Sequence, residues 1–239
     1  MKKRDWLILS LAAAVPPLCK AQEAVKLPAM VSSLEAEELQ DFAQMPPRVQ
    51  KIIRTALALT KRQLTYLLAS HDPERGGMDC SGSIYRVLMD EKVPQVPRQS
   101  DEMCLWTQQS GTFQRTAGVQ KLDEPIFAKM QPGDLLFWAR RDGEVPGRKL
   151  PVTHVMLYLG KRAKDGKPLI YGSSDGRSYD GQKRRGVSVF DFTLPKKDSV
   201  TELYGYGTIP EIKKPKTEPN PKTKTTTSKP KAKKSTLDR

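Results

Sequence analysis

A chain of 239 residues holds one domain of ordinary size with tails, and nothing in its composition marks two separate cores. Its hydrophobic fraction of 37% is low because apolar residues concentrate between residues 47 and 209 while the ends dilute them. The net charge of +14 is also mostly terminal: residues 210–239 carry ten Lys/Arg against Glu211, Glu218 and Asp238, residues 1–21 carry Lys2, Lys3, Arg4 and Lys20 against Asp5, and the body keeps only +4. The basic tail suits an anionic polymer, and a wall or membrane surface satisfies that as well as nucleic acid does; charge alone does not choose, although nucleic acid is not the partner expected here.

Met1-Lys2-Lys3-Arg4 followed by the apolar run from Trp6 to Val15 reads as a secretory signal peptide. The run is too short for a stable membrane anchor, Pro16-Pro17 breaks it, and Cys19-Lys20-Ala21 offers a cleavage site after Ala21. Pro16-Pro17-Leu18 are wrong for a lipoprotein cysteine, so soluble export is expected, to a periplasm or out of the cell. Residues 22–46 form an accessory arm or linker. Within it Ser32-Ser33-Leu34-Glu35 resembles a capping box that opens a short acidic helix, ended by Pro46-Pro47. In residues 48–69, Val49, Ile52, Ile53, Ala56, Leu57, Leu64, Leu67 and Leu68 recur near a helical period opposite Lys51, Arg54, Lys61 and Arg62, which predicts an amphipathic helix.

A polar loop, residues 71–77, leads to Asp79-Cys80-Ser81-Gly82, which caps a second helical pattern through Ile84, Tyr85, Val87 and Leu88. Pro94 and Pro97 interrupt it, and a third helix is expected over residues 100–109. The period then changes. Short β-rich runs begin at Asp134, Val152, Leu169, Gly186 and Leu203, separated by Gly, Pro, Asp and Lys. Ser174-Asp175-Gly176-Arg177-Ser178 reads most simply as a polar turn, with Arg177 able to face a cleft. Helices first and antiparallel strands after give an α+β domain over residues 47–209. From residue 210 Lys, Pro and Thr dominate, too polar a tail to offset its ordering entropy.

Without a signal peptide two cysteines remain. Cys104 sits on an expected helix face and reads as a small buried hydrophobe, whereas Cys80 stands in the first turn of a helix among small polar neighbours. The unpaired N–H groups and macrodipole there favour an anion and should lower the thiol pKa. There are two histidines: His71 lies in a loop beside Asp72-Pro73, and His154 opens an otherwise apolar strand, where an imidazole must find a partner or face a cleft. Cys80 with His154 fits the nucleophile and general base of a thiol hydrolase. Two isolated histidines and two separated cysteines make no metal-ligand cluster, Gly-rich phosphate loops are missing, and no cofactor is expected.

Four motifs in order carry a resemblance: Asp79-Cys80-Ser81-Gly82, Pro97-Arg98-x-Ser100, Gln131-Pro132-Gly133-Asp134-Leu135-Leu136-Phe137-Trp138, and His154-Val155-Met156-Leu157-Tyr158-Leu159-Gly160. Together they resemble the NlpC-type cysteine endopeptidases of peptidoglycan, a compact papain-like family. The resemblance implies N-terminal helices packed on an antiparallel sheet and hydrolysis of a wall stem peptide, commonly between γ-D-glutamate and a diamino acid. It also implies recognition of a free stem amine by Tyr66, Asp79 and Ser81. The family's third polar residue, commonly His, Asn or Gln, aligns with Tyr171, and Ser173 on the same strand face is the alternative for orienting His154. This departure leaves open a non-catalytic wall-binding module, and the shared first half-reaction leaves open amidase or acyltransferase chemistry.

Overall fold

The computed structural model describes residues 28–116 and 118–212; the expected signal peptide and the tail from residue 213 lie outside them. Helix α1 (Pro47–Thr60) starts on a proline at its first position, where a missing N–H costs nothing, and buries Val49, Ile52, Ile53, Ala56 and Leu57. It ends nine residues before the amphipathic pattern does. Gln63 takes a left-handed conformation, φ 55°, and the chain turns into strand β1 (Thr65–Tyr66), so Leu64 is buried from a turn and Leu68 is exposed. Strand β2 (Gly77–Met78) pairs parallel to β1 and delivers the chain to α2 (Cys80–Asp90). Helix α3 (Ser100–Gln109) follows at its expected bounds.

The remaining strands are β3 (Phe113–Arg115), β4 (Asp134–Arg140), β5 (Val152–Lys161), β6 (Pro168–Tyr179), β7 (Gln182–Asp191) and β8 (Thr201–Thr208). They form one antiparallel sheet in the order β3-β8-β4-β5-β6-β7. Leu135, Phe137, Val155, Leu157, Tyr171, Val187 and Val189 face the helices in one core. Leu136, Trp138, Met156, Tyr158, Ile170, Phe190 and Tyr206 form a second core on the opposite face with Phe127 and Phe192. Side chains that alternate in direction along a strand, with both faces covered, explain why β4 and β5 read as nearly continuous apolar runs. The architecture is α+β and consistent with a papain-like fold.

The segment before α1 is not a helix ended by prolines. It forms two short 3₁₀ turns, Ala36–Glu38 and Phe42–Gln44, with a capping box made by Glu35 and Glu38, three residues later than the expected one at Ser32. It also belongs to the domain core: Leu34, Leu39 and Phe42 pack with α1, Met30 bridges Arg185, and Ser32 bonds Ser188 and Val189 on the outer strand β7. Ser32 thereby covers part of a sheet edge that would otherwise present unpaired backbone groups.

Two irregularities shape the site. Trp138 pairs with His154 but Ala139 pairs with Val152, so Thr153 is an extra residue, a bulge that points both Val152 and Val155 at the helices. Strand β5 pairs with β6 only from Leu157 onward, where Leu157 meets Tyr171. Beyond Tyr171, β6 continues with β7 alone, and the sheet splits between β5 and β6. The segment expected as a polar turn, Ser174-Asp175-Gly176-Arg177-Ser178, lies inside strand β6 at a register shift between Ser174 and Arg177. Pairing with β7 supplies the backbone partners that its polar sequence does not advertise.

Candidate active site

Asp79 caps α2: its carboxylate accepts from the Gly82 N–H at 2.6 Å, a bond of a kind worth about 1 kcal/mol to a helix start. Arg98 clamps the same carboxylate with two N–H bonds of 2.8 and 3.1 Å and reaches Ser81 Oγ at 2.9 Å. Gly82 is required by close approach, since a Cβ there would meet the Ser70 carbonyl oxygen at 2.0 Å. The turn that carries Cys80 is thus fixed by a cap, a guanidinium clamp and a backbone contact. Ser173 adds a fourth tie by donating its hydroxyl to the Met78 carbonyl at 2.6 Å, two residues before the cysteine.

Held there, Cys80 Sγ reaches the backbone at the start of β5. It lies 3.9 Å from the Thr153 carbonyl, and the backbone N–H groups of Val155 and Ser81 face the sulfur. Thr153 and Val155 flank His154, so the fold brings the thiol against the strand on both sides of the histidine. Arg148 braces that strand start: it bonds the Val152 carbonyl at 3.0 Å and pairs with Asp101 of α3 at 3.3 Å.

His154 shares its sheet face with Trp138, and the two rings meet edge to face at 5.7 Å. The imidazole lines a cleft of about 650 Å³ with Tyr66, Trp138, Arg177, Asp175, Ser178 and Asp191. Its Nε2 is buried and makes no hydrogen bond. Burial, helped by the nearby Arg177 charge, pushes the imidazole down from its ordinary 6.5 to about 3. Burial and the Asp79 carboxylate push the Cys80 thiol up. The expectation of a thiol lowered by the helix start is therefore reversed: desolvation outweighs the N–H groups of Val155 and Ser81. At neutral pH Cys80 is therefore a thiol and His154 a neutral imidazole, a form that can accept a proton.

Neither residue proposed to orient His154 touches it. Tyr171 lies on the helix side of β6, its buried hydroxyl makes no hydrogen bond, and the charge it feels is Asp90 at the far end of α2. Eleven residues of helix put that end roughly 15 Å from Cys80. Ser173 spends its hydroxyl on Met78. The three residues expected to bind a stem amine also part company. Tyr66 lines the cleft, whereas Asp79 and Ser81 are buried and engaged by Arg98. Cys104 is buried in α3 with its thiol pushed up to about 12, and both it and Cys80 are free thiols. His71 packs edge to face on Tyr85 at 5.2 Å, away from the cleft residues.

Arg98, Arg148 and Trp138 are site residues to which the sequence reading assigned no role. Arg98 and Trp138 both lie within the four motifs; Arg148 acquires its place through Asp101, 47 positions away, for which residue order holds no signal. Among the described residues no group of His, Cys, Asp and Glu could hold a metal ion.

The model of the NlpC/P60 family matches residues 63–182, which span β1 through the start of β7 and include Cys80, His154 and Arg177. No curated protein matches the chain.

Proposed function

Because the chain belongs to the NlpC/P60 family, whose members are typically cysteine peptidases acting on peptidoglycan, we propose that it is an exported endopeptidase that cleaves the wall stem peptide beside γ-D-glutamate. Cys80 is the nucleophile and His154 the general base. The observation that carries this reading is the thiol's approach to the backbone of Thr153 and Val155, the two residues that flank His154. As the sulfur attacks the scissile carbonyl, its proton passes to the neutral imidazole, and the Cys80 backbone N–H at the helix start helps hold the developing oxyanion. The imidazolium gives that proton to the departing amine, and water then hydrolyses the thioester, with His154 again as base.

Tyr66 supplies a hydroxyl at the cleft wall for the stem peptide, and the tail, which carries ten Lys/Arg against three acids, adds attraction to an anionic wall polymer. The signal-like N-terminus supports export. Mass spectrometry of muropeptides incubated with wild type and with Cys80→Ala tests the reading. Products with a new γ-D-glutamyl carboxyl end are expected from wild type alone, with both proteins giving the same circular dichroism spectrum. Undiminished cleavage by Cys80→Ala would remove the thiol from the mechanism.

A further inference from the structure

The cleft beside His154 contains a cation that the mechanism above does not use. Arg177 rises from the irregular stretch of β6, and its guanidinium lies over the Trp138 ring, 4.2 Å from the centroid. Among the described residues it forms no ion pair, although Asp175 and Asp191 line the same cleft. Asp191 accepts from the Asp180 N–H at 2.9 Å with one oxygen, and its other oxygen is buried without a hydrogen bond, so it does not reach the guanidinium. Every other arginine clamp near the site is matched, Arg98 to Asp79 and Arg148 to Asp101. Arg177 is also close enough for its charge to act on both Cys80 and His154.

A partly desolvated guanidinium without a counter-ion is costly, and it persists in a cleft when a ligand supplies the anion. Stacking on an indole uses the flat face of the group and leaves its in-plane N–H fork pointing sideways, the geometry that takes a carboxylate with two parallel bonds. Trp138 contacts both His154 and Arg177, so one ring sets the spacing between base and cation. We propose that Arg177 is a specificity-determining residue that binds a free carboxylate of the substrate beside the scissile carbonyl, so that the enzyme selects stem peptides whose γ-linked residue keeps its α-carboxylate over those in which it is amidated. This rests on the peptidase reading for its consequence in turnover, but the carboxylate site itself can be tested without turnover.

The experiment uses two synthetic peptides identical except for an α-carboxylate or an α-carboxamide on the γ-linked residue. With wild type, kcat/KM for the carboxylate peptide is expected to exceed that for the carboxamide by roughly 10- to 100-fold, the usual worth of a charge-assisted pair. In Arg177→Gln the ratio should collapse toward one, and Arg177→Lys should restore part of it. Any change in His154 basicity caused by losing the charge falls on both peptides and cancels in the ratio. A ratio that survives Arg177→Gln, or a loss equal for both peptides, would overturn the proposal, since a packing role would lower both alike. Calorimetric binding to Cys80→Ala, with and without Arg177→Gln, separates the two readings. Arg177-dependent preference for the carboxylate without any wild-type cleavage would sink the peptidase reading and keep the site. Equal affinity for both peptides would sink the site.

Discussion

The half-buried imidazole of His154, whose Nε2 is buried without a hydrogen bond, makes a prediction about stability as well as catalysis. In the unfolded chain it protonates near its ordinary 6.5, whereas burial holds it to about 3 in the fold. The folded pKa is the lower one, so above 6.5 both states are neutral and the histidine adds no pH dependence. As pH falls from 6.5 toward 3, only the unfolded chain gains the proton, and stability is lost. Integrated from about pH 7 to about pH 5, one such group costs about 2 kcal/mol. Urea denaturation of wild type and His154→Gln across that range isolates the effect, because every other titrating group is common to both. The wild-type stability should fall by about 2 kcal/mol more than that of the variant. With only two histidines in the sequence, NMR of the ring protons offers a direct check: the His154 signal should hold the neutral position through pH 5. Parallel pH slopes, with a His154 resonance titrating above 6, would refute the reasoning and indicate a resting thiolate–imidazolium pair.

Tyr171→Phe removes a buried hydroxyl that has no partner, so stability should stay level or rise by up to about 1 kcal/mol with turnover unaffected, read by melting temperature and kinetics together. Ser173→Ala, by contrast, removes one of the two bonds that the Met78 carbonyl accepts, leaving the one from the Leu67 N–H, and should cost about 1 kcal/mol while lowering kcat by loosening the approach to Cys80. Gly82→Ala forces a Cβ onto the Ser70 carbonyl and should destabilise by about 1–3 kcal/mol, with turnover falling further than stability alone explains. Arg98→Gln leaves the buried Asp79 carboxylate without its cation and should cost about 1–3 kcal/mol in urea denaturation at neutral pH.

What was legible in the sequence was local. The cap Asp79, the first-turn cysteine, the bounds of α3 and the change of period at Asp134 all follow from propensity and spacing within a few residues, and those features stand in the structure. The resemblance rests on four ordered motifs that hold their positions along the chain, two of which carry Cys80 and His154. Three things required the tertiary structure. Alignment assigned Tyr171 to the third position, but Tyr171 pairs with Leu157, and His154, three residues earlier on β5, points to the other sheet face; which face a residue takes depends on register with its neighbours. The protonation of the pair followed from burial, which a helix-start argument does not contain: the amides that favour a thiolate are visible in the sequence, the water excluded from it is not. Arg177 looked like part of a solvated turn because its neighbours are polar. Its role appears only when pairing with β7 makes that segment a strand and long-range folding lays the guanidinium over Trp138, since a charge acquires meaning from what surrounds it in space and a sequence orders only what precedes and follows it.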